Sequence, residues 1–478
     1  MSRAKLLPTL LVWTLICTNF IEITSIDVTK STGKYAFDSD ESVVETCSET
    51  FSSCLDNANF DSKLKIGDSK SGPDLIRANG FPLEVHAVPS PTDGYVTSLY
   101  RIPRGRSNIM FQDGPPKKVA IFHHGIIADG FSWVLNSVDK ALGGLFAITK
   151  IIEGRILIET QMISAILAYR LAEEADVDVW LIHTRGTYYS LDHTSYSWTS
   201  NQYWNFSFHE IGVNDVPAII DYVLYVSGQE SLYYISHSMG CAAFVVAMST
   251  FPEYNAKVRT FIGLAPSVYV GNTSAPFIEP LIPLVLKQQE IYDSIHLSQP
   301  FVSPIVMPFM PVVGNICSNR FTINWICFAV LETIFGYDFE ETNYDMSGEI
   351  MRNALSSASM KSLFHLFQLW KSGDFRQYDY QERRNMEIYG TPVPPIYDLS
   401  KVTSPVVLYC GEEDNLVSCH DVYKMKQKLA NVKEFKKISW PKFNHIDFLF
   451  ATNINSLLNN RIVAIVKADE FYAQHGEK

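Results

Sequence analysis

Basic charge is in short supply in this chain: 39 Lys and Arg stand against 51 Asp and Glu, a formal net charge of −12 over 478 residues. No basic patch stands out, so nucleic acid is disfavoured as a partner. Cysteine is scarce too. Apart from Cys17, the positions are Cys47, Cys54, Cys241, Cys317, Cys327, Cys410 and Cys419. None has zinc-ligand spacing with a nearby histidine, so no metal and no other cofactor is expected. An odd number leaves at least one thiol free if the rest pair, and Cys241, inside an apolar run, is the candidate. An oxidising compartment would permit Cys47–Cys54, Cys317–Cys327 and Cys410–Cys419, and spacing alone settles none of them. Long unbroken apolar runs are also missing beyond the N-terminus. Phe261–Leu286 carries Pro266, Pro276, Pro280 and Pro283, and Phe301–Cys317 carries Pro304, Pro308 and Pro311. These prolines argue against membrane spans and predict irregular, buried or lipid-facing segments.

What is present is enough apolar residue, 47% of the chain, for a sizeable core. Arg3 and Lys5 precede an apolar run from Leu6 to Cys17, and the small residues Thr24 and Ser25 follow. Residues 1–25 thus read as a secretory signal, whose removal leaves no stable membrane anchor. Residues 26–72 are rich in Ser, Asp and Lys and read as a flexible extension. Two glycosylation sequons occur, at Asn205 and Asn272. Asn272 lies in a loop beside Gly271 and Pro276, whereas Asn205 is crowded by Trp204, Phe206 and Phe208, which predicts burial.

From Pro73 the pattern becomes ordered. Leu83–Val88 and Tyr95–Ile102 read as a hairpin. Lys118–His123 is an apolar strand ending in His124-Gly125-Ile126, Leu135–Glu174 reads as mostly helical, and Asp176–Leu181 is the next strand. Val213–Val226 reads as a helix, Leu232–Ile235 as a strand, Cys241–Met248 as a buried helix and Val258–Leu264 as a strand. Tyr269 to about Pro395 breaks this alternation and reads as an inserted cap. The pattern resumes at Val406–Tyr409, with a helix over Val422–Ala430, a last strand over Phe435–Trp440 and a closing helix over Asn455–Val466. Alternating strands and helices predict an α/β fold with a mostly parallel central sheet flanked by helices. The expected organisation is a core over 73–268 and 396–478, interrupted by a helical cap or lid over 269–395.

The stretch that organises the chain is Leu232–Ala243. Ser238 sits between a strand and a helix, with Ser236 two before it and Gly240 two after, a degenerate form of the G-x-S-x-G elbow that exposes a nucleophilic serine. Asp414 and His445 follow later strands, giving the order Ser, acid, His. Strand C-termini of a parallel sheet lie along one edge, so distant residues can converge there. His445 would take the Ser238 proton, Asp414 would fix the imidazole tautomer, and the backbone N–H groups of Ile126 and Met239 would hold the oxyanion. Rival candidates are His123, His124, His420 and His475 for the base and Glu412 and Glu413 for the acid, with Asp421 and Asp447 read as helix-start and loop-structuring residues.

From about Leu75 onward the chain closely resembles the acid lipase family of α/β-hydrolases, which includes gastric and lysosomal acid lipases. The resemblance rests on DGYVTSLYRIP (Asp93–Pro103), HHGIIADGFSWVLN (His123–Asn136), DVWLIHTRGTYYSLDH (Asp178–His193) and YWNFSFHEIGVNDVPAIIDYV (Tyr203–Val223). It continues through SHSMG, FRQYDY (Phe375–Tyr380), PPIYDLSKVTSPVVLYCGEEDNLV (Pro394–Val417) and NHIDF (Asn444–Phe448). It implies that Ser238, Asp414 and His445 form the triad, that Ile126 and Met239 supply the oxyanion donors, and that Cys317 and Cys327 fall near the family's cap disulfide. It also implies hydrolysis of triacylglycerols or cholesteryl esters at a lipid–water interface by a secreted or lysosomal protein. The departures are Ser236 for the first elbow Gly, Met239 for the usual Gln, Ile182-His183-Thr184-Arg185-Gly186 for G-N-x-R-G, an apolar insertion near Ala141–Met162 and the long N-terminal extension. They touch substrate preference more than chemistry. A lipid carrier on the same fold, without turnover, is the alternative, and a peptidase or small-ester hydrolase is a weaker third.

Overall fold

A computed structural model describes residues 71–106, 118–135, 146–152, 155–161, 166–272, 278–318 and 324–475. The signal read at 1–25, the extension up to residue 70 and the Cys47–Cys54 pair lie outside the described residues. So do parts of the 141–162 insertion and Thr273 and Ser274 of the second sequon.

Helix α1 (Gly72–Ala78) precedes the antiparallel hairpin β1 (Glu84–Pro89) and β2 (Tyr95–Ile102). Then follow β3 (Lys118–His123), β4 (Phe146–Ile152), β5 (Arg155–Gln161), α2 (Leu167–Glu174), β6 (Val177–His183) and the short β7 (Asp192–His193). Next come α3 (Val216–Ser227), β8 (Leu232–His237), α4 (Met239–Thr250) and β9 (Val258–Leu264). The segment between β9 and β12 carries α5 (Ile278–Ser294), β10 (Pro300–Val302), α6 (Met310–Cys317) and α7 (Asn324–Phe335). It goes on with α8 (Ser347–Asn353), β11 (Ala358–Ser359), α9 (Met360–Ser372) and α10 (Glu382–Tyr389). The chain ends with β12 (Val406–Cys410), α11 (Cys419–Lys428), β13 (Val432–Lys437) and α12 (Asn460–His475).

The main sheet runs β1-β2-β6-β3-β8-β9-β12-β13, with β7 added on β2. From β6 to β13 every neighbouring pair is parallel, and β1, β2 and β7 are antiparallel additions at one edge. The central strands are apolar on both faces because helices cover both: Ile121, Phe122, Trp180, Leu181, Tyr234, Ile235, Phe261, Ile262 and Leu408 are fully buried. This is the mostly parallel α/β sheet expected from the pattern.

Three expectations are corrected. Among the described residues Leu135–Glu174 is not mostly helical: β4 and β5 pair antiparallel with each other, and only Leu167–Glu174 is helix. The β-branched Ile148, Thr149, Ile151, Ile152, Ile156, Ile158 and Thr160 outweigh apolar content as a signal, with Glu153-Gly154 as the break between the runs. The last strand is Val432–Lys437, not Phe435–Trp440. Its alternating charge, VKEFKK, is that of an edge strand with a solvated rim. The proline-rich stretches are also more helical than expected. Helix α5 accommodates Pro280 in its first turn, where no intrahelical acceptor exists for an N–H, and gives up one ladder bond at Pro283. Pro311 sits similarly at the start of α6.

Arg185, in the loop after β6, ties three parts of the chain together. Its side chain is wholly buried between Asp93 of the β1–β2 turn and Asp215 of the turn entering α3, with Nε 2.9 Å from Asp215 Oδ1. The guanidinium also lies over the Tyr95 ring. Burial penalises its charge, yet the two carboxylates hold it above its ordinary range, so it stays ionised. Arg185→Ala would leave Asp215 buried without its partner. The expected cost is about 3–5 kcal/mol, read as a lower denaturant midpoint at unchanged slope.

Candidate active site

The site begins with the backbone. Ser238 follows β8 directly and has φ 55° and ψ −122°, a left-handed conformation unusual for a residue with a Cβ. Its N–H donates to Leu264 O at 3.0 Å, and its own carbonyl accepts from Cys241 N at 3.0 Å and Ser267 N at 3.3 Å. The neighbours hold the turn by size. A Cβ on Gly240 would stand 2.6 Å from His124 O, so the helix can meet the β3 turn only with Gly there. Ser236, the substitute for Gly, fits because its hydroxyl donates to Cys241 Sγ at 3.0 Å, while that thiol donates back to Ser236 O at 3.3 Å. Cys241 is the free cysteine among the described residues, as expected, and burial pushes its thiol up to about 12.

Ser238, His445 and Asp414 come together. The Ser238 hydroxyl donates to His445 Nε2 at 2.9 Å, and His445 Nδ1–H donates to Asp414 Oδ2 at 2.8 Å. Asp414 Oδ1 accepts from Leu416 N at 2.9 Å and Val417 N at 2.8 Å, which orients the carboxylate toward the ring. All three are nearly sealed, at 7%, 2% and 1% exposed. A Cys410–Cys419 disulfide brackets the loop that carries Asp414. The rivals stand elsewhere: Glu412, Glu413 and His420 are exposed.

The turn after β3 lies against the serine. A Cβ on Gly125 would stand 3.1 Å from Ser238 Cβ and 3.5 Å from its Oγ. Among the described residues no acceptor is found for the backbone N–H groups of Ile126, next to Gly125, and Met239, next to Ser238. His124 shapes this turn: its Nδ1–H donates to Gly125 O at 2.8 Å and its Nε2 accepts from Thr184 N at 3.2 Å. Burial lowers it to about 4. His123 pairs with the Tyr234 hydroxyl at 2.7 Å and is held neutral by burial. Neither reaches the serine as a base.

Reasoning from sequence missed several supports. His237 donates from Nε2 to His445 O at 2.9 Å, and burial keeps it neutral. Phe335, at the end of α7, stacks on the His445 ring at 5.9 Å. No signal in a single sequence marks a pairing 110 residues apart. The Asn205 expectation is corrected: Trp204, Phe206 and Ser207 turn inward and leave Asn205 exposed, its Oδ1 accepting from Lys361 Nζ at 3.1 Å. Asn272 is also exposed, and its Nδ2 donates to Asp421 Oδ1 at 2.8 Å. The Cys317–Cys327 disulfide is formed. Among the described residues there is no cluster of metal-ligating side chains and no helix long and apolar enough to cross a membrane.

Asp129, four residues beyond Gly125, is buried and accepts from Phe131 N at 2.9 Å. Burial pushes its carboxyl up to about 8 despite that bond and one to Ser356. Between its ordinary range and about 8, the folded chain holds a proton that the unfolded chain has released. Stability then falls as pH rises, by about 1.4 kcal/mol per pH unit for one group. Asp129→Asn removes the titration, so its melting temperature should decline less than wild type from about pH 5 to pH 8.

The family model described as a partial alpha/beta-hydrolase lipase region matches residues 73–137. The chain is 30% identical over 404 residues to Lipase 1 of Drosophila melanogaster, covering 84% of this chain and 81% of that one. It is 30% identical over 398 residues to the gastric triacylglycerol lipase of Bos taurus, covering 83% and 91%. Among solved structures, a soluble variant of monoglyceride lipase from Saccharomyces cerevisiae aligns at TM-score 0.45 and 12% identity, over 81% of this chain and 96% of that one. With identity sustained across more than four-fifths of its length, the chain belongs to the acid lipase family of α/β-hydrolases.

Proposed function

We propose that the protein is a serine lipase of the secretory pathway that cleaves neutral-lipid esters, triacylglycerol or cholesteryl ester, through an acyl-enzyme on Ser238. The observation that carries this reading is the unbroken hydrogen-bond chain from the Ser238 hydroxyl through His445 to Asp414. Ser238 Oγ attacks the ester carbonyl as its proton passes to His445 Nε2, and Asp414 stabilises the imidazolium that results. The N–H groups of Ile126 and Met239 receive the oxyanion, worth about 3 kcal/mol per donor in comparable sites. Collapse of the tetrahedral species expels the alcohol, which takes the proton from His445. Water, deprotonated by His445, then releases the fatty acid and restores Ser238.

A serine this buried admits no acyl chain until something over it moves, which supports reading 269–395 as a cap with a lid function. The same segment exposes Ile305 and Phe309, at 63% and 57%, with Val306 and Ile316 beside them in sequence. Apolar side chains held in water suit contact with an ester-bearing lipid surface. Passage through the secretory pathway is supported by two disulfides, Cys317–Cys327 and Cys410–Cys419, and by exposed sequon residues Asn205 and Asn272 as glycan sites.

Fatty-acid release from emulsified triolein and cholesteryl oleate, at about pH 5 and about pH 7.5, tests the proposal with wild type and Ser238→Ala side by side. Wild type should release fatty acid and Ser238→Ala should lose at least about 10⁴-fold. Lipid bound by folded wild type without release would favour the carrier reading. Ile305→Asp combined with Phe309→Asp should lower turnover of emulsified substrate about tenfold more than turnover of a soluble short-chain ester.

A further inference from the structure

The segment between β9 and β12 touches the loops of Asp414 and His445 directly. At the end of α7, the single carbonyl of Phe335 accepts from His445 N at 3.2 Å and from Asn415 N at 3.3 Å. One acceptor therefore holds the loop of the base and the loop of the acid at once. Gly336, next in the chain, has φ 121°, and a Cβ there would stand 2.0 Å from Glu413 O and 2.7 Å from Asn444 Cβ. Its carbonyl accepts from Asn444 Nδ2 at 3.0 Å. Two residues on, Asp338 Oδ2 accepts from Trp440 Nε1 at 2.6 Å, and its carboxyl hydrogen-bonds the carboxyl of Asp447. Asp447 in turn accepts from Asn444 N at 2.7 Å through Oδ2, while Asn444 Oδ1 accepts from Ile446 N and Asp447 N. His445 thus sits inside a small ring of bonds closed by the carboxyl pair.

We propose that the Phe335–Asp338 turn is a positioning element for the hydrolysis: the Phe335 carbonyl clips the His445 and Asp414 loops together, and Asp338 and Asp447 lock the clip through one shared proton. This rests on the triad reading above. Two carboxyls can hydrogen-bond each other only if one keeps its proton. Asp447 is the holder, because burial raises it well above the ordinary carboxyl range and Asp338 adds to the shift. Asp338 is raised as well, burial again being the first cause. The groups facing the pair are Glu332, Glu340, Glu341, Tyr344 and Lys442, and Lys442 is engaged by Glu340 at 2.8 Å. The surroundings are therefore mostly acidic and favour retention of the proton. As pH rises and the proton leaves, two adjacent carboxylates repel, and the His445 loop loses its tie to the inserted segment. The lock is closed in acid and opens toward alkaline pH.

Asp447→Asn tests this, since an amide donates to Asp338 and accepts from Asn444 N as protonated Asp447 does, at every pH. The pH profile of kcat on a soluble short-chain ester should extend upward, its alkaline limb moving by at least about half a pH unit. In the same samples the melting temperature should fall less between about pH 5 and pH 8 than in wild type. Gly336→Ala should lower kcat at least tenfold with KM little changed, because the clip is displaced and substrate contacts are not. An Asp447→Asn profile that coincides with wild type would overturn the proposal, as would full kcat in Gly336→Ala. An inactive wild type whose melting temperature still loses its pH dependence in Asp447→Asn would sink the hydrolase reading and leave the shared proton supported.

Discussion

Everything in the site follows from a backbone held in the left-handed region at Ser238. That conformation is costly for a residue with a Cβ, by about 1–3 kcal/mol. It persists because Leu264, Cys241 and Ser267 hold both backbone groups of Ser238. The geometry lifts Oγ out of the sheet toward His445 while leaving the first turn of α4 with a free N–H at Met239. The placement of the hydroxyl and the free N–H at Met239 are therefore two consequences of one turn. The swap of Gly for Ser at position 236 is absorbed locally, by a hydroxyl–thiol pair that has no part in the chemistry.

The sheet supplies the edge, but its loops would not hold three functional groups within hydrogen-bond reach unaided. The loop of Asp414 is bracketed by a disulfide, the loop of His445 is bonded through Asn444 and Asp447, and both meet the Phe335 carbonyl. On the other side, Arg185 fastens the loop after β6 to the hairpin and to α3. The loop that it anchors also carries Thr184, whose N–H donates to His124 beneath the Gly125 turn. Stability and positioning thus share residues.

The parallel strands other than β13 were legible because each is a short apolar run bounded by turn residues; β3 and β9 begin and end where the pattern puts them. Ser238 and Asp414 were legible for the same reason, since each follows such a strand, whereas His445 follows the charged β13. Periodicity failed where composition misled it. The isoleucines of β4 and β5 are as apolar as a helix would need, and only their branching marks a hairpin. The charged β13 gives little apolar signal at all. What no local pattern could carry is the long-range set: Phe335 on His445, Asp338 on Asp447, His237 on the His445 carbonyl. The first two depend on how the segment between β9 and β12 folds back over loops about a hundred residues away in the chain, and the third joins the end of β8 to the loop of His445.

The central claim is that Ser238 is the nucleophile, and covalent trapping reads it most directly. The folded protein is incubated with an alkyl p-nitrophenyl phosphonate, digested and mapped by mass spectrometry. The account predicts one phosphonyl group per chain, on the peptide bearing Ser238, and none when His445 is replaced by Ala. Labelling at another serine, or no label on protein whose fold is verified by circular dichroism, would contradict it.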